Sequence, residues 1–307
     1  MDIVSVINYK GGVGKTTATA NIAAELAYRG YDVLLIDVDA QASLTFSFIK
    51  PDYWEQTLSQ NKTIKQLFGV DDDEKADLDD LIIYPEAMKR KLAASNNDGS
   101  LGLISSHLGL LNVDLELATE LGAPSLEKGR KKFLKVHGVL HEALQSMESE
   151  FDIVLIDCPP NFNIVTKNAI VASDYVLIPA KPDYLSTLGI DYLIRHLNKL
   201  KKDYNDYVQS IEDDIDTIDP EILGVIFSMV SFYGGQPVST LRQYIAQTKK
   251  LGVPVFDTYI RENKTIFSEA PEFGIPVSCN SYSNDTHNSV VSELKRLTDE
   301  FIAKVGL

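Results

Sequence analysis

Lys10-Gly11-Gly12-Val13-Gly14-Lys15-Thr16-Thr17 is the stretch whose reading decides the fold of this chain. An apolar run at residues 3–8 precedes it and a helix-forming stretch at 16–29 follows, so a glycine-rich turn joins a strand to a helix. A phosphate-binding loop requires that context. Consecutive backbone N–H groups must turn toward phosphate oxygens with no Cβ in the way, and the following helix aims its positive end at the same anion. Lys15 then reaches the β- and γ-phosphates as a point charge, while the Thr16 hydroxyl supplies one oxygen to an octahedral Mg2+.

Outward from the loop the alternation of strand and helix repeats. Apolar runs at residues 33–37, 101–105, 153–157, 175–179, 224–230 and 254–259 are separated mostly by longer stretches of helical periodicity. Continuous apolar strands between helices predict a mostly parallel sheet with helices on both faces, an α/β fold of the P-loop NTPase class. Ligands in such folds bind outside the carboxyl ends of the strands. No repeat or low-complexity linker divides the chain, so residues 1–307 are expected to form one domain with surface insertions near 46–100 and 203–220.

Two of these strands end in acids. Val33-Leu34-Leu35-Ile36-Asp37-Val38-Asp39 closes on two carboxylates, and Phe151-Asp152-Ile153-Val154-Leu155-Ile156-Asp157 closes on one. At the carboxyl end of a strand one carboxylate can face Mg2+ or its waters and another can hold the attacking water in line with the γ-phosphate. Capping or turn formation is the other use of each acid alone. Alongside the loop they predict a cation site of Thr16, Asp39 and Asp157, with Asp157 as the Walker B acid. Adenine is expected over guanine, because Thr166-Lys167-Asn168-Ala169 lacks the acid that pairs with a guanine edge. ATP and Mg2+ are therefore the expected cofactors.

Composition narrows the setting. The chain has 307 residues, 44% of them hydrophobic, and can bury a substantial core. Cys158 and Cys279 lie far apart, so neither a metal knuckle nor a disulfide framework can be read from them, and the five histidines lack ligand spacing. No apolar run approaches membrane-spanning length, and a cytoplasmic protein is expected. The net charge of −15 repels polyanions, so any nucleic-acid contact must be local. The acidic stretch from Asp71-Asp72-Asp73-Glu74 to Asp79-Asp80 reads as solvated surface. The basic run Lys128, Arg130, Lys131, Lys132 and Lys135 reads as the outer face of an amphipathic helix whose stripe is Phe133, Leu134, Leu140, Leu144 and Met147.

The motifs together resemble the ParA/Soj family of deviant Walker A partition ATPases, in the ParA/MinD superfamily. Lys10 before Gly11-Gly12 is similar to that class's signature lysine. Asp37-Val38-Asp39-Ala40-Gln41 resembles its Asp-x-Asp-Pro-Gln segment with alanine in the proline position, and Asp157-Cys158-Pro159-Pro160 resembles its second switch. Segments 169–179 and 224–229 and the run Ser268-Glu269-Ala270-Pro271-Glu272-Phe273-Gly274 extend the likeness to residues 3 to about 305. The resemblance implies a nucleotide-sandwich homodimer in which Lys10 touches the partner subunit's ATP, Gly11 permits close approach and Asp39 orients the hydrolytic water. It also implies a nucleotide base near Met229, a ParB-like or other adaptor that stimulates hydrolysis, non-specific DNA binding by the ATP dimer, and nucleoid association.

Several positions depart from the family. Its DNA-contacting arginines align here with Tyr233 and Asn263. Lys249, Lys250, Arg261 and Lys264 flank those segments and are the substitute DNA contacts expected, although residues 181–307 carry 13 basic against 18 acidic side chains, a net of −5. Segregation of a plasmid or chromosome thus competes with positioning of a protein cargo. A MinD-like membrane switch is the third reading. Its basic amphipathic terminus is not matched, because Val290, Val291, Leu294, Leu297, Phe301, Ile302 and Val305 are flanked by Glu293, Asp299 and Glu300 as well as Lys295 and Arg296. An iron–sulfur reductase fails on cysteine placement. No helix-turn-helix precedes Ile3, so operator-specific autorepression is not expected.

Overall fold

Alternation of apolar strands with amphipathic helices produces a six-stranded sheet in which every pairing is parallel. The computed structural model describes residues 1–68, 76–95, 97–121, 126–147, 149–211 and 215–307. The strands are β1 (Asp2–Val6), β2 (Asp32–Asp37), β3 (Ser100–Ile104), β4 (Ile153–Asp157), β5 (Tyr175–Ala180) and β6 (Glu221–Phe227), in the order β3-β2-β4-β1-β5-β6. A two-stranded hairpin of β7 (Phe232–Tyr233) and β8 (Gln236–Pro237) turns through Gly234 and Gly235, both at positive φ.

The strands are apolar on both sides because both faces of the sheet are covered. Leu34, Ile36, Val154, Ile156, Val176 and Ile178 point into one core with the helices Leu110–Glu120, Leu126–Gln145, Ile164–Val171 and Tyr184–Val208. Their alternates Val4, Val6, Val33, Leu35, Leu155 and Leu177 point into the other with the helices Lys15–Tyr28 and Asp285–Val305. Residues 290, 291, 294, 297, 301 and 305 of the terminal helix are buried there, and Ile302 is partly buried against the same core. No helix among the described residues is long and apolar enough to cross a membrane.

Three sequence expectations are altered. The apolar run at 254–259 does not form a strand: Val255 makes only an isolated bridge to Val225. Pro254 has no N–H to donate, and the Glu300 carboxylate accepts the Asp257 and Thr258 N–H groups at 2.9 and 3.0 Å. The run at 224–230 is shifted, since β6 begins at Glu221 and stops at Phe227, ahead of Met229 in left-handed conformation. Between 46 and 100 much of the chain is core and not surface, with Leu58, Ile64, Leu67, Phe68, Leu78, Leu81, Met88 and Leu92 all buried. Asp71, Asp72, Asp73 and Glu74 lie outside the described residues, and Asp79 accepts the Ser149 N–H at 3.0 Å. The basic run at 128–135 sits on the Leu126–Gln145 helix, whose Leu134, Leu140 and Leu144 are buried.

Candidate active site

Because the sheet is parallel, the carboxyl ends of β1, β2, β4, β5 and β6 share one edge, and every residue singled out around the phosphate loop ends or follows one of them. β1 ends at Val6 and the chain passes through Asn8, whose side-chain amide donates to the Pro179 carbonyl at 2.7 Å and whose Oδ1 accepts the Lys10 N–H at 2.9 Å. Gly12 and Gly14 take φ of 66° and 81°. Gly14 caps the Lys15–Tyr28 helix, whose N-terminal N–H groups face the loop. Lys15 is buried, its Nζ 3.4 Å from the Asn8 carbonyl.

Below the loop the acids converge through strand register. Asp37 and Asp157 are direct partners across β2 and β4, and Val6 pairs with Asp157 on the other side. Asp157 accepts the Thr16 hydroxyl at 2.6 Å and the Thr19 hydroxyl at 3.5 Å. Burial pushes the Asp157 carboxyl up to about 7, against the Thr16 hydrogen bond and the Lys15 charge that hold it down. Burial, with the Asp157 charge added, also raises Asp37 well above the usual carboxylate range. Asp37 is occupied structurally: it accepts the N–H and hydroxyl of Thr45, both at 2.7 Å, and the Asp39 N–H at 3.1 Å. Asp39 is half-buried, held by that bond and by the Ser106 hydroxyl on its carbonyl at 2.6 Å.

A hydroxyl and a buried carboxylate side by side form an oxygen donor pair suited to a hard divalent cation, whose charge would offset the burial that raises both acids. Among the described residues no three His, Cys, Asp or Glu side chains gather into a metal site. A cation here would therefore be carried largely by phosphate oxygens and water, the usual manner of Mg2+.

Met229, at φ 54°, lines a cavity of about 310 Å3 with Gly14, Thr17, Lys181, Ser228, Ile260, Arg261, Glu262, Asn263, Lys264 and Phe267. Its left-handed backbone costs about 1 kcal/mol or more and is retained where a site imposes it. The cavity adjoins the phosphate loop, so a base and ribose extending from the loop would enter it. Ser228, one residue beyond β6, also belongs to the site. This buried residue donates from Oγ to the Val13 carbonyl at 2.5 Å, bracing the loop from β6, and no local pattern marks it.

Lys10 points to a different part of the same edge. Its Nζ lies 2.6 Å from Asp183 Oδ2 and 3.5 Å from the Ser186 hydroxyl, at the start of the Tyr184–Val208 helix. Burial pushes the Asp183 carboxyl up, but the Lys10 and Ser186 donors outweigh it and hold the group below its ordinary value. A Cβ on Gly11 would meet nothing within 4 Å, so Gly11 faces open space.

The expected DNA contacts do not form one free patch. Arg261 is turned inward: its guanidinium is bidentate on Glu293 and lies 5.3 Å from the Phe232 ring centroid. Lys264 lines the Met229 cavity and stands 3.9 Å from Glu262, and Lys249 stands 3.7 Å from Asp257. Lys250 is exposed at the end of the Ser239–Lys249 helix.

Comparison with known proteins agrees with this geometry. A family described as AAA domain, AAA_31, matches residues 1–210. The chain is 27% identical to the sporulation initiation inhibitor protein Soj of Bacillus subtilis, over 90% of this chain and 89% of Soj. It is 28% identical to the chromosome partitioning protein ParA of Caulobacter vibrioides, over 90% of this chain and 85% of that protein. Among solved structures, the ATP complex of an aspartate-to-alanine variant of Cyanothece McdA superposes with a TM-score of 0.69 at 22% identity, over 100% of this chain and 97% of that one. Sequence, sheet order and loop thus meet on one conclusion, that the chain belongs to the AAA_31 family and, within it, to the ParA/Soj ATPases of the ParA/MinD superfamily.

Proposed function

We propose that this ATPase works as a Mg2+-dependent switch whose ATP-bound form is a sandwich homodimer, and that the dimer drives segregation of a plasmid or chromosome with a ParB-like partner. The observation that carries the reading is the convergence of Lys15, Thr16 and Asp157 beneath a glycine loop, with Lys10 and Gly11 on the open side of the same loop. Thr16 and Asp157, with Asp39 beside them, would hold Mg2+, which neutralises phosphate charge. Lys15 binds the β- and γ-phosphates, Asp39 orients the attacking water, and the stretch 10–17 with Met229 encloses the nucleotide. Lys10 delivers a second cation to the partner subunit's phosphates, in the manner of an arginine finger. Dimerisation is further supported by exposed apolar side chains on both flanks of that face: Tyr184, Leu185, Leu188 and Tyr192 beside Asp183, and Leu108, Leu111 and Leu115 beyond Ser106.

In this reading residues 1–307 act as one domain, in the cytoplasm and on the nucleoid. DNA binding is non-specific and confined to the ATP dimer, through Lys249, Lys250 and Lys264, with Arg261 the weakest of the original four candidates. That weakness favours a second reading, a ParA-like ATPase that positions a protein cargo. A Mg2+-dependent ATPase assay tests the first claim. Lys15→Ala should lose nucleotide affinity and turnover, and a variant as active as the parent would overturn the site.

A further inference from the structure

We propose that Asp183 is a positioning residue that parks Lys10 within its own subunit, so that ATP-dependent pairing of two chains must exchange this carboxylate for the partner's phosphates. The proposal rests on the sandwich reading above and adds to it an opposing contact. The parking is built by several elements. Asp183 Oδ1 accepts the Ser186 N–H at 2.8 Å as the helix N-cap, which fixes the direction of Oδ2 toward Lys10. The Lys10 backbone is tied to Asn8, and Asn8 to the end of β5. Tyr9 is clamped as well: its hydroxyl hydrogen-bonds His196 Nδ1 on the same helix, and its ring meets Phe162 edge-on at 5.9 Å. Two successive residues, Tyr9 and Lys10, are therefore anchored to the Tyr184–Val208 helix.

The ion pair is accessible enough to open, since the Lys10 and Asp183 side chains are 34% and 39% exposed. Opening has a cost on both sides. Lys10 gives up its partner, and Asp183 would be left unpaired next to Tyr184, Leu185 and Leu188, the apolar residues that a second subunit would cover. Because a surface pair has modest strength, parking is worth roughly 1.4- to 5-fold in each subunit, and two subunits release it together, giving about 2- to 30-fold in the dimerisation midpoint.

Asp183→Asn removes the charge and keeps the capping oxygen, so the helix start survives. Asp191→Asn makes the same charge change on the same helix, where Asp191 pairs with Arg195 and not with Lys10. Sedimentation of parent, Asp183→Asn, Asp183→Glu, Asp191→Asn and Lys10→Ala proteins with AMP-PNP and Mg2+ should give a midpoint 2- to 30-fold lower for Asp183→Asn only. Asp183→Glu should return toward the parent, and Lys10→Ala should stay monomeric. ATP turnover per dimer at saturating protein should be unchanged in Asp183→Asn, while the protein concentration for half-maximal turnover falls. An unchanged or higher midpoint for Asp183→Asn, or an equal fall for Asp191→Asn, overturns the parking role and leaves the sandwich reading standing. A Lys10→Ala protein that dimerises like the parent removes both.

Discussion

Arg261→Ala separates two roles for the same side chain. As a DNA contact, Arg261 would be dispensable for folding, and its loss would weaken DNA binding alone. The structure instead gives it two bonds from Nε and Nη2 to Glu293, whose side chain is only 7% exposed, and a cation–π contact to Phe232. Removing the guanidinium strands a nearly buried carboxylate, which costs about 3–5 kcal/mol when a pair is fully buried. Arg261 is itself 30% exposed, so water reaches the site and the expectation falls to about 2–4 kcal/mol. For a domain of 307 residues that corresponds to a fall in Tm of roughly 3–6 °C. Glu293→Gln in the same background should recover much of the loss, because a neutral amide no longer needs a cation. Thermal unfolding of parent, single and double variants, with DNA anisotropy on the folded proteins, reads both effects. If Arg261→Ala melted like the parent but no longer bound DNA, the inward assignment would be refuted.

Asp39→Ala should bind ATP and accumulate as a dimer, whereas Gly11→Val should bind nucleotide yet stay monomeric, because its side chain would fill the open space that a second subunit needs; light scattering with ATP checks both, and the opposite pair of outcomes would sink the sandwich. DNA binding by Asp39→Ala with ATP should be strongly salt-sensitive. Three lysines per subunit, six in the dimer, imply a log–log slope of about −5 and close to a 10^3-fold loss between 50 and 200 mM salt, and no binding even at low salt would leave protein-cargo positioning as the leading account. His137 carries a pH signature: burial lowers its pKa to about 4, so the unfolded chain takes up its proton first as pH falls below about 6.5. Up to about 3 kcal/mol of stability should therefore disappear between pH 6.5 and 4, and denaturant melts of His137→Phe should show a shallower decline than the parent, with equal slopes counting against this assignment.

What was legible in the sequence was what neighbours in sequence specify. The loop 10–17 is readable because strand, glycines and helix are contiguous, and Asp37, Asp39 and Asp157 because each ends an apolar run; a parallel sheet then has no choice but to gather them at one edge. What local sequence does not specify has a different origin. Residues 254–259 have a strand's composition, but Glu300, some 43 positions on, claims the N–H groups of Asp257 and Thr258 that a ladder would use. Arg261 looks like a surface cation until Glu293 arrives from the terminal helix, and Ser228 looks like any strand-end serine until Val13 lies 2.5 Å away. Tyr9 and His196 are separated by 187 residues. Each of these is a polar side chain satisfied by a partner on another element. Hydrophobic period carries no information about such pairs, because it reports which face is buried and not which donor meets which acceptor. The nucleotide site and the DNA candidates differ in the same way: a phosphate loop is a backbone device written in consecutive glycines, whereas the reach of each cation depends on which carboxylates the fold sets beside it, and here Glu293 binds Arg261 closely while Glu262 and Asp257 stand looser beside Lys264 and Lys249.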